Sequence, residues 1–381
     1  MNSKSILSSS ISHTATQLEK ICKNYFQPTL AITFSSPNID ENELVNLFNK
    51  HEIQIIGCSS AGEIHNEEYF ENSIVILLID PPKSDFKIFG EHYLDQQETQ
   101  VAQQFAKEVT SIFADPAVLL FSSGIFRDGA SIVNGIKKSL DSKVPIYGGL
   151  AGDGVTFEKT TCYNNKHVST DGFVAVVFDN TKIRLEGKAV SGWSGIGKKS
   201  IATKAKGNVL YEIDDKPALD VFQKYSNLMQ YRSTNDIDEI TAIPGQYPLE
   251  IIAGNSHKLR SILQFNEEDR SMLLAGTVDE GDVFKFCNSP TFEQIENTIN
   301  AYSDFASETS KIDALVLVSC KARHLAFGPL FEDEIKGIKE KWEAPLIGFL
   351  SYGEIGKTKN AEDCDFHNAT NALITIQQVS S

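Results

Sequence analysis

An α/β fold, with mixed β-sheets covered by helices, is the architecture the chain predicts, and three observations predict it. A mostly apolar, strand-like run ending in a small polar pair occurs three times, at residues 30–36, 118–123 and 314–320. Continuous apolar runs bounded by polar loops suit strands buried on both faces under helices. Each run is flanked by amphipathic segments, and each downstream segment leads into a second apolar run that enters a glycine turn ending in an acid. An internally repeated strand-helix-strand unit, set in two associated domains, accounts for all three.

The elements follow in order. Residues 1–27 are expected to form an N-terminal helical segment, because Leu18, Ile21, Cys22 and Tyr25 recur near the 3.6-residue period. After the first strand, Leu44, Leu47 and Phe48 mark a second helix, with Asp40 and Glu43 spaced as a capping box. The run from Ile55 then enters the turn Gly57–Glu63, and Ile74–Ile79 supplies a further strand. The second unit repeats this with Val101, Phe105, Val109 and Ile112, then Ile132, Val133, Ile136 and Leu140, the turn ending at Asp153, and the run Phe173–Phe178. The third has Ile295, Ile299, Tyr302 and Phe305, then Ile335, Ile338 and Trp342, the turn ending at Glu354, and the run Ala372–Ile376. The first and third turns share G-x4-G-E; the middle one is one residue shorter and ends in Asp153.

About 200 residues separate the second and third turns. This interval holds glycines at 187 and 197, a turn-rich stretch at 241–248, and residues 272–286, in which Asp279–Asp282 reads as a hairpin tip. A boundary near 215–225 is expected, giving an N-terminal domain at 28–220 and a C-terminal domain at 221–381. The 381-residue length fits two domains at roughly 150 residues each.

Composition narrows the function. Apolar residues make up 41% with 23 Phe, enough for a large core, and the net charge of −16 repels nucleic acid and anionic lipid. The start lacks the apolar stretch of a secretory signal and the longest apolar run is far too short to span a bilayer. A cytoplasmic location without membrane insertion is expected. The six cysteines lie far apart with no C-x-x-C pair, so reduced thiols are expected.

Ligands in open α/β sheets gather beyond the carboxyl ends of strands, which is where these turns fall. Arg127 and Arg323 each follow a primary strand, and either clamps a ligand carboxylate or pairs with a structural acid. Glu63, Asp153 and Glu354 follow turn glycines, Gly353 among them, and either face the same cleft or cap backbone amides. Cys320 precedes a basic loop that favours a thiolate, or is a plain buried cysteine; no nucleophile elbow, Walker loop or dinucleotide fingerprint accompanies it. The stretch 362–367, with Cys364 and His367, offers metal-ligand types without a metal-site spacing. No metal or catalytic residue is assigned.

Five motifs taken together, Gly57–Ile64, Gly148–Asp153, Ser319–Arg323, Gly348–Ile355 and His367–Thr370, resemble the FIST sensory proteins across about residues 28–377. The resemblance implies a FIST N-terminal domain followed by a FIST C-terminal domain, sensing a small ligand such as an amino acid. It also implies transmission to a downstream signalling protein such as a histidine kinase. Some relatives are haem proteins sensing nitric oxide, so haem is the cofactor alternative, although no histidine motif here matches a haem ligand. A Cys-dependent enzyme is the second alternative. The site expected first is a polar cleft lined by Arg323, Glu354 and Gly353 with Cys320 and His367; Arg127, Asp153 and Glu63 form its N-terminal counterparts.

Overall fold

The computed structural model describes all residues except 94–95, 124, 126, 142, 227–246, 254–255, 289–290, 310, 360 and 380–381. Gly124 and Phe126 in the Arg127 loop, and 241–246 of the turn-rich stretch, therefore lie outside the described residues.

The primary strands are Leu30–Ser35, Pro116–Ser122 and Ala314–Cys320, and all their residues are buried. Each runs parallel to the strand that follows its helix: Gln54–Ser59, Ile146–Leu150 and Leu346–Ser351. On its other side each pairs antiparallel with the last apolar run of its unit: Ile74–Ile79, Gly172–Asp179 and Asn371–Gln378. Three six-stranded mixed sheets result, as the continuous apolar runs require. Their outer edges are closed by Ser3–Ser8, Phe86–His92 and Ile183–Val190. The first of these strands lies inside the expected helical segment; Ser-rich SKSILS lacks a strand's apolar pattern and is held by its pairing with Ile74–Ile79.

The far edge of each sheet comes from another unit. The hairpin after Glu63 adds to Leu346–Ser351, that beginning at Cys162 adds to Gln54–Ser59, and that beginning at Glu354 adds to Ile146–Leu150. The exchange closes a ring, so no sheet is complete without its neighbours. At the centre Phe34 meets Phe121 at 5.1 Å and Phe349 at 4.4 Å, ring to ring. Helices Ile11–Asn24 and Glu41–Lys50 bury Leu18, Leu44 and Phe48 over the outer face of the first sheet. Phe292–Glu308 and Leu330–Lys339 do the same over the third, with Ile295, Tyr302 and Ile335. Asp40 caps its helix by accepting from the N–H of Asn42 and Glu43, which is the Asp40 half of the expected capping box; no return bond from the Glu43 side chain is present among the described residues.

Between Ile183–Val190 and Phe292–Glu308 sits a fourth, eight-stranded antiparallel sheet built from residues 195–287. The expected boundary at 220/221 falls in helix Ala218–Ser226, and the strands of this sheet come from both sides of that helix. Asp279–Asp282 is a tight turn, with Asp282 N–H donating to Asp279 O, but it is not a hairpin tip. Its flanking strands Met272–Leu274 and Val283–Cys287 pair elsewhere, with Ile262–Phe265 and Val209–Ile213 on one side and Gly195–Lys206 and Leu249–Ala253 on the other.

Gly148 has φ +138°, and a Cβ there would lie 1.8 Å from Leu120 O across the parallel pair. The obstacles, Leu120 O, C and N, are all backbone atoms, which cannot swing aside. Gly148→Ala is expected to abolish soluble expression, while Gly154→Ala, with nothing within 4 Å, leaves the protein folded; normal yield and far-UV circular dichroism for the first variant would contradict this packing.

Candidate functional site

The residues singled out from the sequence do converge on strand tips, but most are already fully engaged. Arg323, in helix Lys321–Phe327, is 0% exposed. Its Nε donates to Glu334 Oε2 at 3.1 Å, and Nη1 donates to Ser191 O and, at 3.0 Å, to Ala369 O. Nη2 donates to Thr298 Oγ1 at 3.2 Å and to Glu334 Oε1. All five N–H groups of a guanidinium are thereby used. Trp193 and Phe327 each lie 5.1 Å from its central carbon, sealing the pair further. Glu334 was missed by the sequence reading. The signal was there: it shares the buried face of its helix with Phe331, Ile335 and Ile338, where a lone acid requires a partner.

Glu354 is also 0% exposed and accepts from Ser351 Oγ, Thr370 N at 3.2 Å and Thr370 Oγ1 at 2.7 Å. Burial pushes its carboxyl up to about 7, against the opposing pull of these donors. Ala369 bonds to Arg323 while Thr370 bonds to Glu354, so the two networks adjoin on one segment but each is closed on itself. Cys320 lies beside Glu354, and burial reinforced by that charge pushes its thiol well up, the reverse of what thiolate chemistry needs. Gly353 is packed so tightly that a Cβ would meet the Phe366 ring at 2.2 Å. His367 holds Gly356 O at 3.2 Å, and burial lowers its imidazole to about 4. Its neighbours point elsewhere: Asp363 pairs with Lys137 and Asp365 with Lys258.

Glu63 repeats the Glu354 arrangement, accepting from Ser36, Ser60 and Ser73. Register identifies the third member of the set. Glu63 lies opposite Phe349 and Glu354 opposite Gly149, each the residue after the turn's first glycine; opposite the corresponding Cys58 lies Cys162. Asp153 is therefore not the middle equivalent, because loop 153–161 intervenes before the hairpin strand begins. Asp153 instead organises that loop, accepting from Phe157 N, Glu158 N, Lys159 N, Thr156 Oγ1 and the Tyr352 hydroxyl. Burial opposes its ionisation, but these donors hold it below the usual carboxylate range. Arg127 is half-buried, pairs with Glu98 at 3.0 Å and with Asp171, and stacks over Tyr93.

Open space lies one unit away. Loop 153–161 roofs a cavity of about 130 Å³ at the carboxyl ends of the parallel strands Leu30–Ser35 and Gln54–Ser59, lined by Pro37, Glu41, Ser59, Glu158, Lys159 and Thr161 among others. Glu41 is 8% exposed; Thr161 Oγ1 donates to its Oε1 at 2.6 Å, and burial raises its carboxyl above the usual range. Ser59 Oγ donates to Gly152 O at 2.8 Å and accepts from Thr161 N at 2.9 Å, fixing roof to floor. Sequence reasoning missed Glu41, Lys159 and Thr161, having treated Asp40–Glu43 only as a helix start. A second concavity of about 460 Å³, open to solvent, is bordered by Thr99, Ser131, Asn134, Lys137 and Lys138.

Among the described residues no cluster of three or more His, Cys, Asp or Glu side chains is disposed to hold a metal, and no helix is long and apolar enough to cross a membrane. Comparison with known proteins finds similarity to an uncharacterised protein of Methanocaldococcus jannaschii, 22% identical, with 95% of this chain and 77% of that protein covered. Residues 29–216 match the FIST N domain and residues 218–357 match the FIST C domain. With the two matches in this order over most of its length, the chain belongs to the FIST family of signal-transduction sensory proteins.

Proposed function

We propose that this FIST protein binds a small polar ligand of amino-acid size in the cavity beneath loop 153–161 and passes the signal to a partner protein. The observation that carries the reading is the nearly buried Glu41 carboxylate in a cavity at parallel strand ends, where α/β folds place their ligands. At ~30 Å³ per water, 130 Å³ is the volume of about four waters, room for a handful of non-hydrogen atoms. Glu41 suits a ligand ammonium and Lys159 a ligand carboxylate. The acid-and-base logic expected of Arg323 and Glu354 is thus kept, on other residues.

The roof supports a route outward. Asp153 ties it to the Tyr352 hydroxyl, and Phe157, at φ +52° and half-exposed, stacks on Tyr352 at 4.7 Å. A bulky residue in the left-handed region stores strain that a loop rearrangement releases. Tyr352 joins strand Leu346–Ser351 to Glu354–Gly356, so movement of the roof reaches the third unit. The ligand must favour one roof arrangement over another, since equal affinity shifts nothing. We also read the shared plan of the three sheets as a threefold internal duplication, with loop 153–161 as the feature that sets the middle unit apart.

A thermal-shift screen of amino acids tests the site. A hit at one hundred times its Kd should stabilise the wild type by ~2.7 kcal/mol. Glu41→Gln is expected to lose most of that gain; an undiminished gain would remove Glu41 from the site.

A further inference from the structure

Two of the six free cysteines face each other across a strand pair. Cys58, in Gln54–Ser59, is the register partner of Cys162, which opens the hairpin strand directly after loop 153–161. In the other two units the same positions hold Glu63 opposite Phe349 and Glu354 opposite Gly149, so only the middle unit sets two thiols face to face. Elsewhere Cys287 lies opposite Gly195 and Cys320 opposite Ser351. The kind of pair matters. One residue on, Ser59 N–H donates to Thr161 O at 3.0 Å, which makes Ser59 and Thr161 a hydrogen-bonded pair. The two kinds alternate along an antiparallel ladder, so Cys58 and Cys162 are a non-hydrogen-bonded pair, the kind whose side chains stand closest. Such pairs lie about 4.5 Å apart, Cα to Cα, and a disulfide spans about 4.4–6.8 Å.

While the strand end stays closed, the pair is protected. Both residues are fully buried, in the apolar cluster that holds Phe34 and Phe121. Burial, reinforced by Cys162 and Glu41, pushes the Cys58 thiol well up, and burial takes Cys162 to about 12. The Cys162 thiol donates to Gly172 O at 3.4 Å. Thiols held in this state are poor nucleophiles. Their chain neighbours, however, are at the cavity: Ser59 and Thr161 line it, and they are tied by the Ser59 N bond to Thr161 O and by the 2.9 Å bond from Thr161 N to Ser59 Oγ. Thr161 is also the last residue of the roof loop. Parting those two bonds frees the strand end that carries Cys162.

We propose that Cys58 and Cys162 form an oxidative modification site, at which a hydroperoxide joins them as a disulfide when the Thr161 end of the roof lifts. The deprotonated sulfur of Cys162 attacks one oxygen of hydrogen peroxide, the O–O bond breaks, and the departing hydroxide takes up a proton to leave as water. Cys162 is then a sulfenic acid. The sulfur of Cys58, giving up its proton, attacks that sulfur, the S–O bond breaks, and a second water leaves. Two thiols and one peroxide thus become one disulfide and two waters. The bond fastens the root of loop 153–161 to the strand Gln54–Ser59, whether or not a ligand occupies the cavity.

The test is a peptide map of the reduced full chain after exposure to a small excess of hydrogen peroxide, with remaining thiols capped by N-ethylmaleimide in denaturant and digestion carried out without reductant. One peptide pair should appear, joined through Cys58 and Cys162, with the loss of two free thiols and no covalent dimer on a non-reducing gel. The linked chain should unfold at higher urea than the reduced one, and dithiothreitol should reverse the shift. Cys58→Ser should abolish both the link and the shift, whereas Cys22→Ser, at the half-buried thiol, should keep both. Recovery of Cys58 and Cys162 as capped thiols while Cys22 is oxidised, a link to any other cysteine in their place, or a urea midpoint that the link does not move would overturn the proposal. Should Cys58→Ser fail to fold, the map of the wild type decides.

Discussion

Replacing Arg323 by alanine should lower the unfolding free energy by ~3–5 kcal/mol, because it strands Glu334 as an unpaired charge in the core. Glu334 is 0% exposed and keeps only Asn371 Nδ2, at 2.9 Å, as a described donor once the guanidinium is gone. The carbonyls of Ser191 and Ala369 and the Thr298 hydroxyl lose their donors together. Exchanging both partners for apolar residues, Arg323→Met with Glu334→Leu, should recover much of the loss, since breaking a buried pair costs more than removing it. Urea unfolding of the three chains checks this. A cost below ~1 kcal/mol for Arg323→Ala, the range of a surface pair, would mean that the guanidinium is not committed to structure and would return it to the ligand-binding candidates.

Glu354 should contribute a loss of stability as pH rises from about 4.5 to about 7, opposed by His367 and His324, whose imidazoles burial lowers from 6.5 to about 4 and which therefore add stability as pH rises between those values. The Glu354 carboxyl is raised from 4.5 to about 7 in the folded chain, so between those values the folded state holds a proton that the unfolded state has released. The stabilisation is complete below the unfolded value, declines through the interval and is gone above the folded one. At ~1.4 kcal/mol per unit, the difference across the window is ~3 kcal/mol. Glu63, raised by burial in the same sense, adds to the slope. Relative to the wild type, Glu354→Gln should turn the slope of the urea midpoint between about pH 5 and 7.5 toward rising with pH, because the opposing histidines remain; an unchanged slope would show that Glu354 titrates normally.

Much of the fold was legible because its local signals agree. The primary strands are apolar on both faces and their flanking helices keep a clear period, so strand and helix could be read segment by segment. What escaped depends on distant pairing. Ser3–Ser8 is a strand only because Ile74–Ile79 lies beside it, and the exchange of hairpins among sheets leaves no trace in a local pattern. The same holds for Cys162, which register and not motif spacing puts in the series of Glu63 and Glu354.

The candidate residues divide along a similar line. The glycine turns and the arginines were visible as types at strand ends, but their commitments were not. Arg323 is matched by an acid one helix away, and Glu354 by hydroxyls from two other segments. Glu41 was hidden by its helix-start setting, and Lys159 by belonging to an extra loop in one unit only.

Hydrogen–deuterium exchange with and without a stabilising amino acid tests the central claim, that the ligand sits under loop 153–161 and not between Arg323 and Glu354. Added protection should appear in peptides covering 37–42 and 153–161, with those covering 320–335 and 366–371 unchanged. Protection confined to 320–335 and 366–371 would contradict the account.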